Sequence, residues 1–364
     1  MNKNSKIEVE IFIPAHESHD RLKVIIKSLI DDYPDVKILI VDSSEIALDC
    51  KFDEGIIEYH HCPELSLIDK INKYLGKITT PYILLHPDDE IINPYALDYL
   101  RSQLNFYSEN VSSTLSQNIT LLNMHSCSVV KPRRDSLFAG NSIYCLHHNP
   151  TLADCLTPYH QMIWGLHRTS LVKRFFLLID GLPWDGNICL FERLFNIFMH
   201  FHGKVIVSTL PLLLRRDILF STKKSHIEDI VSWISNYRKG KLSYISFLKK
   251  VASRFSNDFE LSDKDTLLLL FDALNNDAMY RKKHYHKKFL KYFNYAHSKL
   301  HKYFNKRIEY NHLCTYELSQ EIRITHSNSY IQKMSKKEFE IFVSTIEPFL
   351  RRKYKSILSL VECN

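Results

Sequence analysis

Four short apolar runs occupy the first ninety residues, and three of them stop abruptly on polar or acidic groups. Lys6–Ile13 alternates polar and apolar residues before turning continuously apolar, and it ends in Pro14-Ala15-His16-Glu17. Val36–Val41 ends in Asp42-Ser43-Ser44, and Tyr82–Leu85 ends in His86-Pro87-Asp88-Asp89-Glu90. Ile56–Tyr59 is a shorter run of the same kind. Runs of this length and composition predict strands covered on both faces. Between them, Asp20–Tyr33 carries apolar residues at 22, 25, 26, 29 and 30, a helical stripe with Asp20 as candidate N-cap, and Leu67–Leu75 reads as a second helix. The order β-α-β-β-α-β implies an α/β domain with a mostly parallel sheet flanked by helices. Ligands of such sheets sit at the carboxyl ends of the strands, where this chain gathers its acids.

Glycine narrows the chemistry. The chain has 8 glycines in 364 residues, about 2 % where about 7 % is usual. No two lie closer than five positions, so a G-x-G-x-x-G fingerprint cannot be written. The single G-x-x-x-x-G pair, Gly181 and Gly186, is followed by Asn187-Ile188 instead of Lys and a hydroxyl residue. A phosphate would have to be held by side chains, a metal or helix ends. A solvated capping turn before Asn93-Pro94 needs one carboxylate, whereas Asp88–Glu90 supplies three. Three hard oxygen ligands instead suit a divalent cation that bridges the phosphates of a nucleotide.

Farther along, Asn118–Met124 resembles a strand, Lys131–Asp135 a basic loop, Ile188–Phe201 an amphipathic helix and Gly203–Thr209 a last strand. Residues 1–220 carry 21 Lys and Arg against 26 Asp and Glu, while residues 221–364 carry 27 against 15. The net charge of +7 therefore belongs to the rear segment, which reads almost wholly as helix. Phe289, Phe293, Ala296, Leu300, Phe304 and Ile308 form a stripe there with lysines on the other faces. That pattern suits packing on neighbouring helices, or contact with anionic headgroups. The expected division is a domain at 1–220 and a basic α-helical C-terminal region at 221–364. Eight cysteines without C-x-x-C spacing, no basic-then-apolar leader and no membrane-length apolar run suggest a cytoplasmic chain with reduced thiols. His60-His61 and His147-His148 lack partners at zinc-site spacing and read as solvated or turn histidines.

The sequence Ile11-Phe-Ile-Pro-Ala-His16, Ile38-Leu-Ile-Val-Asp42-Ser-Ser, Lys70-Ile-Asn-Lys73, Thr80-Pro-Tyr-Ile-Leu-Leu85 and Asp88-Asp89-Glu90 resembles family 2-like glycosyltransferases of the GT-A fold. It looks most like a bacterial subgroup with a D-S-S motif after the second strand and a triple-acidic D-D-D motif after the fourth. Trp164-Gly-Leu-His-Arg168-Thr and Phe191-Glu192-Arg193…Gly203-Lys204 resemble that subgroup's acceptor half, so the likeness spans about residues 7–217. Residues beyond it match no motif. This sequence departs from the pattern in the His86-Pro87 that precedes the acids and in Glu as the third acid.

The resemblance implies transfer of a sugar from a nucleotide donor, most often a UDP-sugar, with Mn2+ or Mg2+. Pro14 and Ala15 would line the base and ribose pocket, and Asp42 would hydrogen-bond the nucleobase or ribose. Lys70 would approach the base or diphosphate, Asp88 and Asp89 the ribose and ion, and Glu90 would ligate the metal alongside Asp89. Arg168 or the Arg215-Arg216 pair would offset charge on the leaving diphosphate. An inverting displacement needs a carboxylate base within reach of the acceptor hydroxyl. Asp185 stands nearer the wider family's position for that base, and Glu192, the preferred candidate, matches the subgroup's acid. Seven residues separate them, about two helical turns. The implied acceptor is a glycan or lipid-linked glycan of bacterial surface-polysaccharide assembly, such as lipopolysaccharide. The basic rear helices would add peripheral contact with the inner face of the membrane.

Two other readings start from the same residues. A nucleotidyltransferase would need a glycine-rich loop where Pro14-Ala15-His16 stands, which disfavours it. A non-catalytic protein that binds anionic surfaces or nucleic acid would use the basic rear segment, but no recognition motif accompanies the lysines, and nucleic acid is not the expected partner.

Overall fold

The computed structural model describes residues 8–50, 52–53, 55–106, 111–124, 127–132, 143–145, 155–156, 162–182, 188–216 and 244–285. In chain order the elements are β1 (Val9–Ala15), α1 (His19–Asp32), β2 (Ile38–Asp42), β3 (Ile57–His61), α2 (Leu67–Tyr74), β4 (Tyr82–Leu85), β5 (Ile91–Ile92) and α3 (Pro94–Phe106). Then follow β6 (Val111–Met124), β7 (Cys127–Pro132), β8 (Ile143–Cys145), β9 (Leu166–Arg168), α4 (Thr169–Ile179), α5 (Ile188–His202) and β10 (Lys204–Arg216). Two helices complete the described chain, α6 (Tyr244–Phe255) and α7 (Asp263–Tyr285).

The strands form one sheet in the order β3-β2-β1-β4-β9-β6-β10-β5, with β7 added to β6 and β8 to β10. Strands β3, β2, β1 and β4 are mutually parallel, β9 runs against both β4 and β6, and β10 is parallel to β6. Along this path only β9 and β5 oppose the common direction. The mostly parallel α/β sheet expected from the sequence is the one observed.

Period-2 alternation divides the side chains of the central strands between two cores. In β1, Ile11, Ile13 and Ala15 join Leu22, Ile25 and Leu29 of α1 and Leu97, Leu100 and Leu104 of α3 on one face. Phe12 points to the other face, where α2, α4 and α5 pack. Glu10 shares the burial of β1, and its carboxylate is satisfied by Thr79 N at 2.8 Å and Thr80 Oγ1 at 3.2 Å. The helical stripe of α1 buries Leu22, Ile25, Ile26 and Leu29 as its spacing requires. Its N-cap is Ser18 in place of Asp20, and that hydroxyl makes no capping bond to the helix.

Helices α6 and α7 share the second core. Phe247, Val251 and Phe255 of α6 and Leu269, Leu270 and Phe271 of α7 pack with Phe175 of α4 and Phe191 and Phe198 of α5. Fully buried Arg193 on α5 bonds Asp277 of α7, Nε to Oδ2, at 2.5 Å. The described part of the chain beyond residue 220 is thus fastened to the helices that cover the sheet. Phe289–Ile308, with its apolar stripe and flanking lysines, lies outside the described residues. No helix among the described residues is long and apolar enough to cross a membrane.

Candidate active site

Strand β1 lies between β2 and β4. The chain leaves β1 through α1 toward β2 on one side, and reaches β4 on the other side through β3 and α2. Two connections that depart to opposite sides leave a crevice at the carboxyl ends of β1 and β4, the place where open α/β sheets bind ligands. Pairing continues just past the strands, since Ser43 N donates to Ala15 O at 3.0 Å and His86 N to Phe12 O at 2.9 Å. The loops that carry His16–Ser18, Asp42–Ser44 and Asp88–Glu90 therefore converge on one edge.

Asp88 closes the crevice. Its Oδ2 accepts from His16 N at 2.7 Å and from Ser18 Oγ at 2.5 Å, across the gap between the β4 and β1 loops. Burial and the neighbouring Asp89 charge raise its pKa above the ordinary carboxylate value, against the hydrogen bonds from Ser18 and His16 and the pull of Lys70. Immediately after His16, two residues past the end of β1, the backbone is strained. Glu17 has a φ of 51°, a left-handed conformation that costs a side-chain-bearing residue roughly 1–2 kcal/mol. It is held there by Ser44 Oγ, which accepts from Glu17 N at 2.8 Å, and by Glu45 N, which donates to Glu17 Oε1 at 2.9 Å.

Lys70, on α2, reaches under this edge and is only 2 % exposed. Its Nζ donates to Ala15 O at 2.6 Å and to Ser43 Oγ at 2.9 Å, bracing the ends of β1 and β2 together. Burial lowers its pKa to about 8, although Asp88 and Asp42 both favour the charged form. Pro14 and Ala15 are themselves buried in the sheet. A molecule in the crevice would meet His16, just beyond them, before it met either.

Asp42 is 0 % exposed, and four donors surround its carboxylate. Oδ1 accepts from Ser44 N at 2.9 Å and from Ser44 Oγ at 2.5 Å. Oδ2 accepts from Tyr59 OH at 2.8 Å and faces His19 Nε2 at 2.9 Å. Burial pushes its pKa up, but the bonds from Ser44, Tyr59 and His19 together outweigh that and hold it below the usual carboxylate range. A carboxylate offers about four lone-pair sites, and all four are used within the chain. The Asp42 side chain thus organises the loop, and a direct bond to a nucleobase would displace one of these donors.

The acids themselves decide how a divalent cation would fit. Asp89 is 43 % exposed on the edge, with Arg21 Nη1 at 3.6 Å from its Oδ2, a partly solvated pair of small energetic weight. Glu90, the next residue, is only 3 % exposed. No group of three His, Cys, Asp or Glu side chains suited to a metal occurs among the described residues. A protein cage is therefore not what this edge offers. One accessible carboxylate suits an ion that brings most of its oxygen ligands with it, from a diphosphate and water. Asp89 fits that role; Glu90, buried beneath the loop, does not as it stands.

The remaining candidates divide. Arg168 pairs with Tyr82, the first residue of β4, and its guanidinium lies over the Tyr82 ring at 5.6 Å. Register therefore puts Arg168 at the amino edge of the sheet, opposite Asp88, and the structure does not bring it to the crevice. Helix α5 ends at His202, two residues before β10 begins at the amino edge, and it packs on β6 and β10. A 15-residue helix spans about 22 Å, so the first turns of α5, with Glu192, lie back toward the carboxyl edge. Asp185 lies outside the described residues, and the Arg215-Arg216 pair ends β10.

His16, His19 and Arg21 escaped the sequence reading as site residues. The signal for them was the run His16-Glu17-Ser18-His19 directly after a buried strand. His61 is likewise no solvated turn residue. It ends β3, and its Nε2 lies 2.9 Å from Ser44 O.

No family model and no curated protein matches the sequence. Among solved structures, residues 1–349 of S. aureus TarS in complex with UDP-GlcNAc superpose with a TM-score of 0.47 and 13 % identity, covering 74 % of this chain and 72 % of that one. The same TarS segment in complex with UDP gives 0.45 and 12 %, covering 74 % and 71 %. Likeness at this level does not bear on function, which rests on the crevice and its side chains.

Proposed function

We propose that this chain is a glycosyltransferase that moves a sugar from a nucleotide-sugar donor, a UDP-sugar, to a hydroxyl of a glycan or lipid-linked acceptor. The observation that carries the reading is the convergence of the β1, β2 and β4 loops on one crevice, with Asp88 bridging it and Asp89 exposed at its mouth. In a chain without a glycine-rich phosphate loop, two carboxylates and the start of α1 within one loop cluster support a reading in which Asp88 meets the ribose and Asp89 a metal ion.

In the inverting reaction proposed, the acceptor oxygen bonds to the anomeric carbon as the bond from that carbon to the diphosphate oxygen breaks. The nucleoside diphosphate leaves with the electron pair. The acceptor proton passes to a carboxylate, Glu192 or Asp185, acting as general base. A Mn2+ or Mg2+ ion held by Asp89 with the diphosphate would supply charge neutralisation on the leaving group. The chain's own contribution is to hold the donor between the β1–α1 and Asp88 loops and to orient the base. Surface-polysaccharide assembly at the inner face of the membrane, with the basic rear segment touching anionic lipid, belongs to the same proposal.

The test is a panel of nucleotide sugars incubated with the full chain and Mn2+, read as released nucleoside diphosphate. The expected result is turnover of one donor that EDTA abolishes and Asp89→Ala reduces at least tenfold. Absence of both nucleotide binding and release across the panel, with retention on heparin that salt disrupts, would instead identify a binder of polyanions.

A further inference from the structure

Asp42 ends β2 as a carboxylate that has no acceptor site left for a ligand. The donors around it differ in what they can still do. Ser44 is buried, and its hydroxyl donates to Asp42 while it accepts from Glu17 N. The Tyr59 hydroxyl donates to Asp42 and accepts from Leu48 N at 2.8 Å. His19 alone keeps a nitrogen uncommitted, because no partner of its Nδ1 occurs among the described residues. It is also the first residue of α1, at the crevice, and its side chain is 27 % exposed where Asp42 is fully covered.

Chemistry fixes the tautomer. An ionised carboxylate can only accept, so the short contact with Asp42 Oδ2 requires a proton on Nε2 of His19. In the neutral ring, Nδ1 then carries a lone pair and no proton. We infer that His19 presents Nδ1 as the hydrogen-bond acceptor that reads an N–H or O–H donor of the nucleoside at this edge, with Asp42 a positioning residue behind it. The inference rests on the proposed binding of a nucleotide in the crevice. It assigns the reading of that nucleotide to a residue which the D-S-S motif does not contain.

A uridine offers two kinds of donor, the imide N–H of its ring and the ribose hydroxyls, and cytidine lacks the imide N–H. Calorimetric titration of the full chain with UDP, CDP and 2′,3′-dideoxy-UDP separates them. His19→Ala is expected to weaken UDP binding by about tenfold, the worth of one good hydrogen bond. If the imide is read, the preference for UDP over CDP disappears in His19→Ala. If a hydroxyl is read, UDP and CDP weaken alike, and dideoxy-UDP binds wild type and variant equally. His19→Gln, whose amide can donate to Asp42 and still offer its carbonyl oxygen, is expected to recover most of the lost affinity, a rescue that a purely structural role would not produce. Ring 15N NMR supplies a readout independent of affinity. Wild type should show His19 as the Nε2–H tautomer, Nδ1 should shift on addition of UDP, and Asp42→Asn should alter the tautomer.

Unchanged UDP affinity in His19→Ala, or a His19 signal unmoved while other resonances respond to UDP, overturns the inference and leaves the proposed function standing. A wild-type chain that binds neither UDP nor CDP overturns both.

Discussion

Ser18 Oγ donates to Asp88 Oδ2 at 2.5 Å, although the two residues lie 70 positions apart in sequence. A serine that precedes a helix ordinarily turns its oxygen toward the first backbone N–H groups, a bond worth about 1 kcal/mol. Here the hydroxyl serves the carboxylate instead, and α1 starts without a side-chain cap. Local helix stability is given up to hold an acid across the crevice.

Asp88 should therefore trade stability for function. Its pKa in the folded chain is raised, chiefly by burial and next by Asp89. The native state then holds the Asp88 proton more tightly than the unfolded chain does, and stability from this group falls as pH climbs from the unfolded value toward the native one. The penalty is complete once pH has passed the native value and the buried group is ionised. Asp88→Asn keeps an oxygen for His16 N and Ser18 Oγ and removes the charge, so its thermal midpoint at pH 7 should equal or exceed that of wild type while donor turnover falls. Asp88→Ala leaves both His16 N and Ser18 Oγ without their acceptor and should cost about 1–3 kcal/mol. A midpoint for Asp88→Asn well below wild type would show that the charge is not a burden on the fold.

Lys70 gives the opposite profile in a different window. Burial holds its pKa near 8 in the folded chain, against 10.5 for a free lysine. Below pH 8 both states are protonated, and the native state carries the full cost of a covered ammonium. Between pH 8 and 10.5 the unfolded chain binds more protons than the native one, so stability should rise with pH, by about 3 kcal/mol at most. Comparison with Lys70→Met isolates this group from the tyrosines that titrate above pH 10. In urea unfolding from pH 7 to pH 10, wild type should gain on the variant, and parallel curves for the two proteins would refute the account.

These two residues also mark how far the sequence could be read. The hydrophobic runs that fixed β1, β2 and β4, and the 22, 25, 26, 29 spacing of α1, are local patterns, and the sheet's direction follows from them. The gathering of Asp42 and Asp88 at one edge was legible because both immediately follow buried strands. Their individual roles were not. Whether Asp42 faces a ligand depends on its loop neighbour Ser44 and on Tyr59 of β3 and His19 of α1, which meet it only in the fold. Arg168 misled for the same reason: its motif was recognisable, but the antiparallel register of β9 against β4 sends it to the far edge. Glu90 reads as the third member of an acidic triplet, yet it directly precedes Ile91–Ile92 and shares the burial of that strand. Sequence patterns of period 2 and 3.6 report faces, whereas saturation of a carboxylate is a property of tertiary contacts.

Arg193 and Asp277 join α5 to α7 by a bond of 2.5 Å between two fully buried side chains. Arg193 follows Glu192, so this tether also bears on the candidate base. Removing one partner leaves a buried charge beside Tyr244 without its counter-ion, a change that costs about 3–5 kcal/mol. Removing both costs far less, since apolar residues of similar volume pack in such a core without desolvation. In chemical unfolding, Asp277→Leu and Arg193→Met should each be strongly destabilised, and the double variant should recover most of the loss. Activity separates the tether from the fold around it. If α7 holds the Glu192 end of α5 in register with the crevice, the stable double variant should bind nucleotide like wild type and turn over donor more slowly. A double variant as unstable as the singles would place the weight on packing, with the ion pair incidental to it.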